Sequence, residues 1–83
     1  MAQFEFVLKT EQDGCEEPYV EKLGKFGKGD YIPEGGPGGN FVHVFEYATG
    51  REVAVATARS LAERAGLTVT GVLTVEEWEA LGR

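Results

Sequence analysis

Basic residues, cysteine and long apolar runs are all scarce in this chain, and each scarcity removes a class of function. Eight Lys and Arg stand against 14 Asp and Glu, a formal net charge of -6 over 83 residues. A protein that grips nucleic acid nonspecifically presents a basic face to the phosphates, so direct nucleic-acid binding is not expected. The single cysteine, Cys15, cannot close an internal disulfide, and neither a CxxC pair nor a Cys/His spacing points to zinc. A reducing, cytoplasmic setting is the expectation. The first residues, Met1-Ala2-Gln3-Phe4-Glu5, lack the basic segment and apolar run of a signal peptide. No stretch approaches the roughly 20 apolar residues of a membrane span.

Catalytic side chains are equally sparse. Cys15 lies among Asp13, Glu16 and Glu17, whose charges oppose a thiolate. His43 is the only imidazole, and it shares an alternating run with Phe41 and Phe45, which suits a packed sheet residue better than a base. Glu11, Asp13, Glu16 and Glu17 lack the spacing of a calcium loop. The glycines match neither GxxxxGK(S/T) nor a GxGxxG that follows a strand. No enzyme, metal or cofactor is therefore expected, and the length allows one domain with one modest core.

What is present is clear punctuation between Thr49 and Gly82. Thr49 and Glu52 have capping-box spacing, followed by Val53, Ala54, Ala58, Leu61, Ala62 and Ala65 at helical intervals. Gly66 and Leu67 then fit a Schellman ending. Leu67 to Leu73 is rich in β-branched residues and reads as a strand. Thr74 and Glu77 repeat the capping box, with Leu73 and Trp78 at the two staple positions, so a short helix is predicted over Val75–Leu81, ended by Gly82. Thr49-Gly50 could instead be a hairpin turn with a returning strand over 51–57. The four alanines between positions 54 and 62 favour the helix.

Upstream, Gln3 to Thr10 alternates Phe4, Phe6 and Leu8 with Glu5, Val7 and Lys9, the period of a strand with one buried face. Pro18 suits the first position of a short helix carrying Tyr19, Leu23 and Phe26 on one side, although an irregular strand or a loop is nearly as well supported. Seven of the twelve glycines, with Pro33 and Pro37, fall between Gly24 and Gly39, which reads as a long surface loop. Phe41 to Ala48 is a strand with Phe41, His43, Phe45 and Tyr47 on one face and Val42, Val44, Glu46 and Ala48 on the other. Apolar residues on both sides mean a strand covered twice, or one whose open face meets a partner. The predicted fold is α+β: a three- to four-stranded sheet with one main Ala-rich helix packed on it and a short C-terminal helix, in the order β-loop-β-α-β-α.

Function is read from surface chemistry. Glu11, Asp13, Glu16, Glu17 and Glu21 are uninterrupted by any basic residue. With Tyr19, Phe26 and Tyr31 they would form a partner-binding surface, the acids steering association and the aromatics supplying buried contact. The leading expectation is a non-enzymatic protein-binding module, an inhibitor or regulator covering the basic surface of a nucleic-acid-handling partner, by analogy with small acidic inhibitors of phage or bacterial origin. Two alternatives stay open: an anion or small-ligand site built from Lys22, Lys25 and Lys28 in the glycine-rich segment, and a self-associating subunit that pairs as a homodimer.

Overall fold

The computed structural model describes residues 1–17, 19–26, 29–35 and 38–81, with Lys25 and Phe26 described as backbone alone. Its elements run β1 (Ala2–Thr10), α1 (Tyr19–Phe26), β2 (Asp30–Glu34), β3 (Asn40–Ala48), α2 (Arg51–Arg64), β4 (Val69–Leu73) and α3 (Val75–Glu79). The strands form one antiparallel sheet in the order β2-β3-β1-β4. Because β3 and β4 are both antiparallel to β1, they point the same way with β1 between them. The same holds for β1 and β2 about β3. Two split β-α-β units are thus interleaved in a single sheet, and the crossover from β3 through α2 to β4 spans an intervening strand.

The register decides which side chains share a face, since directly opposed residues project to the same side. Phe4, Phe6 and Leu8 of β1 lie opposite Glu46, Val44 and Val42 of β3. Phe6, Leu8, Val42 and Val44 are fully buried beneath α1 and α2, together with Leu23, Ala54, Ala58, Leu61, Ala62 and Leu67. The small alanine side chains of α2 let that helix approach the sheet closely. Arg51, in its first turn, places its guanidinium 5.9 Å from the Phe6 ring centroid. The expected helix over 51–57 is present, and the alternative returning strand is not.

The stop at Gly66 has both Schellman hydrogen bonds: Leu67 N–H to Ala62 O and Gly66 N–H to Glu63 O, each 3.0 Å, with Gly66 at φ +101. The box at Thr74 is complete as well. Glu77 N–H donates to Thr74 Oγ1 at 3.1 Å, and Thr74 N–H donates to Glu77 Oε1 at 2.8 Å. Trp78 then packs with Val7 and Phe41, with Leu73 and Val75 against the same cluster.

Three expectations are corrected. The start of α2 is not capped by Thr49: strand pairing runs through Ala48 opposite Ala2, and Gly50 is the N-cap with no side-chain cap bond. Glu52 consequently falls one position too early to close a box. The segment 24–40 is not one long loop, because α1 continues to Phe26 and Asp30–Glu34 forms an edge strand containing Pro33. An edge position tolerates proline, whose missing donor can face away from the ladder. Finally, β4 starts at Val69 and α3 ends at Glu79, each shorter than the predicted range. The proposed helix-starting role of Pro18 lies outside the described residues. Among those residues no helix is long and apolar enough to cross a membrane.

Candidate functional site

The face of the sheet opposite α1 and α2 is only partly covered. Read from the register, its cross-strand rows are Lys9, Phe41 and Glu34; then Val7, His43 and Ile32; then Glu5, Phe45 and Asp30; then Gln3 and Tyr47. The short helix α3 lays Trp78 over the first two rows, where Val7 and Phe41 are buried. Beyond it the face opens, and Ile32 and Tyr47 are 47% and 51% exposed.

His43 is the hinge between the covered and open parts. Its ring stacks on Phe45 at 4.7 Å with an interplanar angle of 21°, and meets Trp78 edge-on at 5.1 Å and 62°. Its Nε2 lies 2.6 Å from Glu5 Oε2 and its Nδ1 lies 3.8 Å from Glu34 Oε2. One imidazole therefore links carboxylates from the strands on both sides of β3. Gln3 Nε2 donates to the Tyr47 hydroxyl at 3.2 Å, which steadies the outermost ring. The open patch is thus an aromatic pair on the central strand, with Glu5 and Asp30 directly either side of Phe45.

The sequence-predicted surface lies elsewhere. Glu11 follows the far end of β1, where its carbonyl accepts from Asn40 Nδ2 at 3.0 Å, so the acidic run begins at the end of the sheet remote from Phe45 and Tyr47. Glu11, Glu16, Glu17 and Glu21 are exposed. Asp13 is half-buried and shapes the turn, its Oδ1 accepting from Cys15 N–H at 2.9 Å. Tyr19 and Tyr31, expected as partner contacts, are half-buried against the protein's own core. The Phe26 side chain, the Lys25 side chain and Lys28 lie outside the described residues, whereas Lys22 is exposed on α1.

Cys15 Sγ hydrogen-bonds to Pro33 O at 3.3 Å, while His43 is held by Glu5 and Glu34. Desolvation first, and the Asp13 carboxylate second, push the Cys15 thiol above its ordinary range, away from the thiolate a nucleophile needs. Among the described residues no three His, Cys, Asp or Glu side chains converge as metal ligands.

A second polar feature, on the helix-covered side, was not anticipated. Glu46 is only 2% exposed, yet it carries a carboxylate. The Tyr31 hydroxyl donates to its Oε2, and Tyr47 N–H donates to its Oε1 at 3.0 Å. Burial, and then the hydrogen bond to Glu46 and its charge, drive the Tyr31 phenol well above its usual range. The sequence signal was a lone Glu on the apolar face of β3, opposite Phe4.

Comparison of the chain with protein-family models, curated proteins and solved structures finds no match in any of the three.

Proposed function

We propose that this protein is a non-enzymatic binding module whose open sheet face covers a basic patch on a protein partner. The observation that carries this reading is the row Glu5, Phe45, Asp30: a partly exposed aromatic ring on a central strand with a carboxylate on each neighbouring strand. Apolar area at the centre of a contact supplies affinity, and an acidic rim selects partners that bring Lys or Arg. Charge on the rest of the molecule supports the same orientation. Helix α3, which packs on this face, adds Glu76, Glu77 and Glu79, whereas α2 on the opposite side carries Arg51, Arg59 and Arg64 against Glu52 and Glu63.

Aromatic residues on a four-stranded sheet can also stack nucleic-acid bases, but such platforms need basic surroundings for the backbone. Here the neighbours of Phe45 are acidic. A protein whose natural ligand is a nucleic acid is the more fitting target, and occupying its basic surface would inhibit or regulate it.

The test compares two charge reversals in capture from the protein's own host at stepwise salt. Glu5→Lys/Asp30→Lys should lose a partner that the wild-type chain releases only at moderate salt, while Glu16→Lys/Glu17→Lys, at the remote end, should retain it and mainly slow association. Equal retention by both variants would remove the open face from the argument. Loss only in the second would return the site to the acidic segment after β1.

A further inference from the structure

We infer that β4 is a self-association edge along which a second copy of the chain pairs antiparallel, independently of the open-face interaction. The sheet ends in two edge strands, β2 and β4, and they are built differently. β2 carries Asp30, Pro33 and Glu34, and charge and proline are devices that keep an edge from pairing. β4 has neither. From Leu67 to Val75 the chain holds no charged residue and no proline. Its one irregularity is the bulge between the Thr10–Val69 and Lys9–Gly71 pairs, beyond which Gly71, Val72 and Leu73 pair regularly with β1. Helix α3 turns away from that edge: Trp78 lies against Val7 and Phe41 of the inner strands, and a Cβ on Gly38, just before β3, would sit 3.4 Å from Leu81 Cδ1. Among the described residues the outer side of β4 has no strand beside it.

The occupant is a second copy because the edge is complementary to itself. Antiparallel pairing about a two-fold axis perpendicular to the sheet opposes Val69–Leu73 to the same segment, so in every register Val, Thr, Gly and Leu meet one another and no like charges are opposed. The two four-stranded sheets become one of eight strands, with both α2 helices on one side of it. Val53, Thr57 and Leu61 line the cleft beside Ala48, so that flank of α2 looks toward β3. The opposite flank, carrying Val55 and Arg59, therefore lies toward β4, and Val55 and Val72 are half-buried against the same core cluster. Glu52, Arg59 and Glu63 are exposed along that flank. Because the axis reverses the second helix, a glutamate of one copy is set against Arg59 of the other, and the half-open Val55 and Val72 are covered. Both open faces then lie on the other side of the joined sheet and point the same way.

The test is the oligomeric state of the full chain by sedimentation equilibrium from micromolar to millimolar concentration, with amide hydrogen exchange measured at both ends of that range. A dimer should form, and exchange at Val69–Leu73 should slow as concentration rises while that at Asp30–Glu34 stays constant. Thr70→Glu places a carboxylate at an exposed edge position and should raise the dissociation constant about ten-fold, with the dilute protein still folded by circular dichroism. Arg59→Glu should weaken the dimer several-fold by opposing acid to acid. A monomer at millimolar concentration, a dimer indifferent to either substitution, or protection that grows elsewhere than at β4 would overturn the inference. Should Thr70→Glu not fold, the exchange pattern of the unaltered chain and Arg59→Glu still decide.

Discussion

Replacing Tyr31 by Phe removes one oxygen and isolates one interaction. Glu46 is nearly inaccessible to water and has two donors, so losing the Tyr31 hydroxyl leaves one carboxylate oxygen without its partner in a place where solvent cannot readily replace it. Hydrogen bonds to charged groups contribute about 1.5–3 kcal/mol, and an abandoned buried acceptor costs as much. In a domain of this size each kcal/mol shifts Tm by roughly 4–8 °C, so the variant should melt on the order of 10 °C lower. Urea unfolding should show a lower midpoint with an unchanged slope. The pH dependence carries a sign. The phenol is held above its usual range in the folded protein and ionises near 10 when unfolded. Its contribution is therefore complete below about pH 10 and is lost as pH rises beyond that. Wild-type and Tyr31→Phe stabilities should consequently differ most at neutral pH and converge in alkali. Combining the change with Glu46→Gln, which keeps an acceptor for Tyr47 N–H but removes the charge, should make the second substitution less costly than in the wild-type background. A Tyr31→Phe loss below about 0.5 kcal/mol, the same at every pH and in both backgrounds, would refute the view that this pair is a charge-assisted buried bond.

Further predictions rest on single local features. Thr74→Ala removes the hydroxyl that accepts from Glu77 N–H, leaving only the backbone half of the capping box, and should cost about 1 kcal/mol in chemical unfolding. Gly66→Ala forces a side chain into φ +101 and places its Cβ 3.1 Å from the Tyr19 ring, so about 1–2 kcal/mol should be lost. Gly24→Ala, at an exposed α1 position with no atom near the new Cβ, should instead raise stability by about 0.5–1 kcal/mol in the same assay. Cys15 is exposed but its thiol is pushed up, so alkylation at neutral pH should be slower than for a free cysteine, with Asp13→Asn accelerating it. A rate equal to that of a free thiol would mean the Asp13 contact does not persist in solution.

The parts of the fold that could be read from the chain were those decided within a few residues. Thr74 with Glu77, and Gly66 with Leu67, specify helix ends through bonds that need no distant partner. Thr49 with Glu52 has the same spacing and fails, because pairing of β3 with the start of β1 carries the strand through Ala48 and sets the helix entry at Gly50. Asp30–Glu34 was hidden for the complementary reason: proline and flanking glycines argue locally against a strand, and only the ladder offered by Phe41 to Phe45 makes it one. The same limit applies to the open face. Period two placed Phe41, His43, Phe45 and Tyr47 together, but the arrival of Glu5 and Asp30 beside Phe45 depends on a register between strands 40 and 15 positions apart, which no local pattern encodes. The buried role of Glu46 likewise required knowing that Tyr31 sits on the adjoining strand.

Why that face remains open follows from lengths. Helix α3 has five residues, about 7.5 Å at 1.5 Å each, and crosses β strands of nine residues, about 30 Å long. It can seal Val7 and Phe41 with Trp78 but cannot also reach Phe45 and Tyr47. An uncovered aromatic strip on a central strand would ordinarily invite a second copy of the chain, since apolar patches of this kind are interaction surfaces. Here two copies meeting face to face would bring Glu5 and Asp30 of each toward those of the other, with Glu34 and the acids of α3 behind them. Like charges directly opposed are destabilising, so on the proposed reading these carboxylates weigh against self-pairing through this patch. Under the function we propose, a surface that opposes its own copy and phosphate yet retains exposed aromatic area takes cationic protein as the partner that satisfies both its charge and its apolar centre.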